Sequence, residues 1–132
     1  MPTAPLYDST HQYLTTHLTE ALDSQIETLA LVVVAISHSV SAQIGKIARA
    51  LPLDTTQAAK EQRIRRLLDN ERLTQAEHYQ PLAKAALHGL KGQRVQVLID
   101  RVLLRNIHNI LVVSIGFRRR SLPLAWIALV KA

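Results

Sequence analysis

The chain has 132 residues, 48% of them apolar, with no cysteine, one Trp, one Phe and a formal charge of +6. That length holds one ordinary domain or two very small ones. The composition excludes a disordered chain, and the lack of cysteine excludes disulfides, thiolate zinc sites and cysteine nucleophiles.

With so few aromatic residues the core must be aliphatic. The N-terminus has no basic start followed by an apolar run, so it does not read as a secretory signal. The longest aliphatic run, Leu29 to Ile36, has eight residues, against about 20 needed to cross a bilayer. The expectation is a soluble, cytoplasmic protein without a membrane partner. Charge is unevenly placed: the first 45 residues hold four acids and no Lys or Arg. All 16 basic residues and the other six acids follow from Lys46 onward, a local excess of +10. Such asymmetry points to a polyanion partner for the later part, or to a plain solvated basic surface.

Residues 1–6 are Pro-rich and read as loose. Ser9 with Gln12, Ser24 with Glu27, and Thr74 with Glu77 have the spacing of capping boxes, which predicts helices over 10–22, 25–38 and 75–88. The second is apolar on nearly every side, and its β-branched run also suits a buried strand; the capping box favours the helix. Ser41 can cap a helix over 42–51, stopped by Pro52. Asp54 or Thr55 can cap another over 56–69. Pro81 should kink or restart the 75–88 helix, and Gly89 is a natural stop.

From Arg94 the period changes. Val95, Val97 and Ile99 alternate with Gln96 and Leu98 in a strand that ends at Asp100. Residues 110–117 and 122–130 read as two further strands, joined by the short connection 118–121. The chain is expected to be α+β, with five helices followed by three antiparallel strands. A helical region spans 1–91 and a sheet region 92–132.

Two features carry function. Over 39–70, a short helix, a Pro-marked turn and a basic helix have the order of a helix-turn-helix, whose second helix enters the DNA major groove. Ile64, Leu67 and Leu68 form that helix's apolar stripe. Gln62, Arg63 and Arg66 lie on another face, where they can meet base edges. Lys46, Arg49, Lys60 and Arg65 are placed to serve phosphates. The other feature is Asp100, the sole acid after Glu77. A carboxylate in an apolar strand is costly unless it faces a cleft, a cation or a partner. It suits a catalytic role, a strand-end cap, or an ion pair with Arg101 or Arg105.

The runs SVSAQIGKIARALP (39–52), RIRRLLDN (63–70) and HYQPLA (78–83) resemble, in that order, the N-terminal region of insertion-sequence transposases of the DDE class. VLID (97–100), NILVVSIGF (109–117) and RSLPLAW (120–126) resemble the first three strands of that family's RNase H-like catalytic domain. The resemblance covers roughly residues 25–128. It implies DNA at the element's ends as partner, and Mg²⁺-dependent DNA cleavage and strand transfer, in which three carboxylates hold two metal ions. By this resemblance Asp100 stands at the first carboxylate position, as a catalytic, metal-binding residue.

Two departures bear on this. Val102 stands where the family usually has a small polar residue, and the second Asp and the Glu have no counterpart. The expectation is a truncated, incomplete sheet with an unpaired apolar edge. Such a chain is not expected to cut DNA alone; the expected partners are a second chain that completes the catalytic domain, and further copies of itself in a homo-oligomer. A non-enzymatic helix-turn-helix regulator, or an inhibitor of transposition, is the alternative.

The six histidines match no usual ligand spacing. Trp126 is expected in the core. Arg118 to Arg120 are expected to be solvated, or to touch DNA backbone in a transposase-like protein.

Overall fold

A computed structural model describes residues 3–129. Six helices precede a three-stranded antiparallel sheet, so the chain is α+β. The helices are α1 (Thr3–His17), α2 (Asp23–Ser39), α3 (Ile44–Ala50), α4 (Gln57–Leu68), α5 (Gln75–His78) and α6 (Gln80–His88). The strands are β1 (Val97–Leu104), β2 (His108–Phe117) and β3 (Arg120–Leu129). The chain forms two compact units, one running to His78 and the other starting at Tyr79. Hence α6, grouped by sequence with the helical region, belongs with the sheet. No single described helix is long and apolar enough to cross a membrane.

The first unit is built around α2. Its β-branched run is helical, and one face of it is covered by neighbours: Ala30, Leu31, Val34 and Ala35 are buried. Leu31 and Ala35 pack with Ile47, Ala48, Leu51 and Ile64 into one cluster. The axis bends by 100° between α2 and α3.

Several boundaries differ from expectation, each for a local reason. The segment expected to be loose is helical from Thr3, and residues 1–2 lie outside the described residues. Pro5 sits in the first turn, where N–H groups have no intrahelical acceptor, so its ring costs no hydrogen bond. α2 starts at Asp23 because the Leu22 N–H donates to Gln25 Oε1 at 3.1 Å; Ser24 and Glu27 fall inside the helix. Thr56, not Asp54 or Thr55, caps α4, its hydroxyl accepting from the Ala59 N–H at 3.2 Å. Ser41 accepts from the Gln43 N–H at 3.1 Å, just ahead of α3.

The expected helix over 75–88 is two helices. Thr74 Oγ1 caps the first, accepting from the Glu77 N–H at 3.2 Å. Tyr79, at φ −130°, breaks the run, and Pro81 takes the tolerated first turn of α6. The other half of the Thr74 cap comes from His78. Its Nδ1 accepts from the Thr74 N–H at 3.1 Å. Nε2 therefore carries the ring proton and meets Gln25 Oε1 at 2.8 Å. Gln25 and His78 are both buried, so this pair ties the start of α2 to α5 with its polar groups satisfied.

In the second unit β1, β2 and β3 form a meander in that order. β1 does not end at Asp100 but continues to Leu104, paired with β2 as far as Leu104 with His108. An antiparallel partner keeps extending a strand while its backbone groups find acceptors, and a single carboxylate facing solvent does not interrupt that ladder. A bulge between Val113 and Ser114 breaks the β2–β3 register. β3 holds Pro123 at a sheet edge, where the missing N–H costs no ladder bond. The third strand is described to Leu129; the expected end at Val130 lies outside the described residues.

Tyr79 anchors this unit. Its ring meets Trp126 edge-on, centroids 4.7 Å apart, and its hydroxyl donates to the Pro123 carbonyl. Trp126, expected in the core, is 37% exposed. Burial raises the Tyr79 pKa above its ordinary value, because the phenolate is the form that loses solvation.

Two outcomes are expected. His78→Ala removes the buried bond to Gln25 and half of the Thr74 cap, costing about 1–3 kcal/mol in all, read as a lower urea midpoint at an unchanged slope. For Tyr79, a folded-state pKa raised above the unfolded value means stability present below about pH 10 and lost as pH rises. Alkaline unfolding followed through Trp126 fluorescence should lose that component in Tyr79→Phe.

Candidate nucleic-acid interface

α3 and α4 pack on each other through Ile47, Ala48, Leu51 and Ile64. The connection over 51–56 turns the chain, and Gln57 Nε2 ties α4 back to the Gly45 carbonyl at 3.0 Å. Lys60 Nζ donates to the Leu51 carbonyl at 3.1 Å. That carbonyl belongs to the C-terminal end of α3, where a cation is favoured by the helix dipole. Lys60, expected to serve phosphates, is therefore engaged within the fold.

The other expected DNA-binding residues fall into two groups. Gln62, Arg63 and Arg66 do converge: all three line an open depression of about 550 Å³, walled by Leu53, Asp54 and Thr55. Gln62 and Arg66 are exposed. Arg63 is held against α2, with Nη2 3.4 Å from Thr28 Oγ1 and 3.7 Å from Glu27 Oε1. Arg63 also has Arg66 beside it in a second depression of about 230 Å³, with Ser24, Thr28 and Asn70. Lys46 and Arg49 are exposed on α3. Arg65 faces Glu61 at 4.0 Å, one turn away; an exposed pair of this kind contributes little to stability and leaves the guanidinium available.

Glu27 and Thr28 were missed as partners of Arg63. Helical spacing reports only neighbours three or four residues apart on one helix, and the Arg63–Thr28 bond bridges 35 residues between α2 and α4.

Asp100 is placed differently. It lies mid-strand on the exposed β1, opposite Val112. Its Oδ1 accepts from the Arg101 N–H at 2.7 Å. Arg105, one of its expected ion-pair partners, lies in the β1–β2 turn at φ 50°. Among the described residues no group of three or more His, Asp or Glu side chains is close enough to hold a metal ion. Mg²⁺ needs more than one protein or substrate anchor, so the residues described do not fit the two-metal site implied by the resemblance.

Compared with protein-family models, curated proteins and solved structures, the chain matches none.

With its carboxylate in solvent, Asp100→Asn should change stability by no more than about 0.5 kcal/mol. Added Mg²⁺ should leave the thermal midpoint of both proteins unmoved. A Mg²⁺-dependent rise present in the parent chain and absent from the variant would reveal a metal site on β1.

Proposed function

We propose that the chain is the DNA-binding region and opening strands of a DDE-class transposase, acting on duplex DNA at element ends in the cytoplasm. The observation that carries this reading is the convergence of Gln62, Arg63 and Arg66 of α4 on one open depression. Gln reads adenine, and Arg reads guanine or clamps a phosphate in bidentate fashion. The order of elements supports it as well, with α3 and α4 ahead of a meander that carries Asp100 in its first strand. Lys46, Arg49 and Arg65 bind phosphates, which fixes register without reading sequence.

Within this reading Arg63 acts from a set position. Its bonds to Glu27 and Thr28 hold the guanidinium at the junction of the two depressions, so less rotamer freedom is lost on binding. Strand cleavage needs the family's remaining carboxylates. The reading assigns this chain recognition of DNA, with Asp100 as the first-carboxylate position.

Replacing Gln62 and Arg66 together by Ala should weaken binding of a labelled element-end duplex by roughly ten-fold or more. The dependence on salt should become shallower by about 0.9 for each DNA phosphate that the variant no longer neutralises. Fluorescence anisotropy across a salt series reads both. Unchanged affinity in the double variant would remove α4 from the interface.

A further inference from the structure

The basic excess is not on the unit that holds α4. Residues up to His78 carry seven basic side chains and nine acids, a formal −2, while those from Tyr79 onward carry nine basic side chains and one acid, a formal +8. Within the second unit, the β2–β3 hairpin concentrates this charge. Arg118 and Arg119 form its two-residue turn, with Arg120 opening β3.

That turn is expensive in its sequence. Arg118 sits at φ 48° and Arg119 at φ 65°. Two-residue hairpin turns with both residues left-handed favour Asn-Gly, because a side chain's Cβ crowds the following carbonyl there. Backbone held in such regions concentrates where a protein binds something. Next to the turn lies an open depression of about 520 Å³, lined by Gln93, Arg94, Gly116, Phe117 and Arg118 among others. Phe117 is 41% exposed, and the Arg118 guanidinium carbon lies 5.2 Å from its ring centroid.

A guanidinium stacked over a part-exposed aromatic ring can meet the two halves of a nucleotide, the cation taking a phosphate and the ring's remaining exposed surface a base. The unit's one acid does not neutralise this end. Asp100 pairs with Val112, five residues from Phe117 along β2, or about 17 Å at strand spacing.

We infer that this end of the sheet is a second nucleic-acid site, which binds a single strand with phosphates on Arg94, Arg118 and Arg119 and an unpaired base on Phe117. It belongs to a different unit from α4 and does not depend on the transposase reading. A duplex keeps its bases stacked and offers only its backbone here, so the exposed ring selects the single strand.

The test uses the full chain with fluorescein-labelled oligothymidylate and a duplex of the same length. It is run in parallel in a chain with Gln62→Ala and Arg66→Ala, so that binding through α4 does not mask the result. Arg118→Asn with Arg119→Gly removes two charges while giving the turn its preferred residues, so its thermal midpoint should rise. Its affinity for oligothymidylate should fall about ten-fold, with a salt slope shallower by about 0.7 for each phosphate that is no longer neutralised. Phe117→Leu should weaken the single strand about five-fold or more and leave the duplex unchanged. Single-strand affinity unchanged in the turn variant overturns the site. An equal effect of Phe117→Leu on strand and duplex, or none on either, overturns the single-strand assignment.

Discussion

Eight consecutive aliphatic residues on one helix, Leu29 to Ile36 of α2, govern the first unit. At 3.6 residues per turn such a run has an apolar side chain in every direction, so one covering layer is not enough. α1 packs along α2, while α3 and α4 close on it through Ile47, Ala48, Leu51 and Ile64. Burying one Leu or Ile side chain is worth about 1.5–3 kcal/mol, and the Leu31–Ile64 cluster collects several such residues from three helices. That core holds α4 in place, so Gln62 and Arg66 are presented outward by packing on the opposite side, through Ile64 and Leu67. Coverage is incomplete: Val33 is 42% and Ile36 39% exposed.

Much of this was legible along the chain. Ile64 and Leu67 of the expected apolar stripe are buried, but Leu68, the last residue of α4, is 63% exposed. The helical state of α2 was readable from its polar start, although its β-branched residues also suited a strand. Side-chain partners across helices were not legible. Gln25 meets His78 over 53 residues, and Lys60 reaches the end of α3. Sequence spacing carries no trace of either, since each depends on how helices cross. The caps were readable in kind and shifted in place, because Thr56 competes with its neighbours Asp54 and Thr55 for one set of free N–H groups. The end of β1 was misread at Asp100 because a charge in an apolar run resembles a stop. Backbone pairing with β2 decides the matter, and it runs on to Leu104.

Separating the chain into two units also redistributes the meaning of its charge. An excess counted from Lys46 onward points to α4, yet the acids of α1 and α2 belong to the same unit as α4. Arg63 illustrates the consequence, since Glu27 lies 3.7 Å from it. Long-range attraction of a polyanion follows net charge over a Debye length of about 8–10 Å, whereas recognition follows the local arrangement of donors. The two demands fall on different units here: the net positive charge is concentrated on the sheet unit, and the donors Gln62, Arg63 and Arg66 converge on α4.

The sheet has its own constraint, which is its edge. Every residue of β1 is exposed, including Ile99 at 70% and Val97 at 60%, and an exposed apolar edge is a template for pairing with another chain. Asp100 and Arg101 bear on that. Successive strand residues point to opposite faces, so β1 carries one charge on each face near its middle. Two copies joined antiparallel about a two-fold axis must set residues of the same face directly opposite. Registers centred on the strand then place two Asp100 carboxylates, or two Arg101 guanidiniums, against each other, which is unfavourable. Registers displaced to either side set each charge against an aliphatic side chain such as Leu98 or Leu103 and shorten the ladder. Whatever else Asp100 does, its place in the middle of β1, next to Arg101, disfavours symmetric self-pairing.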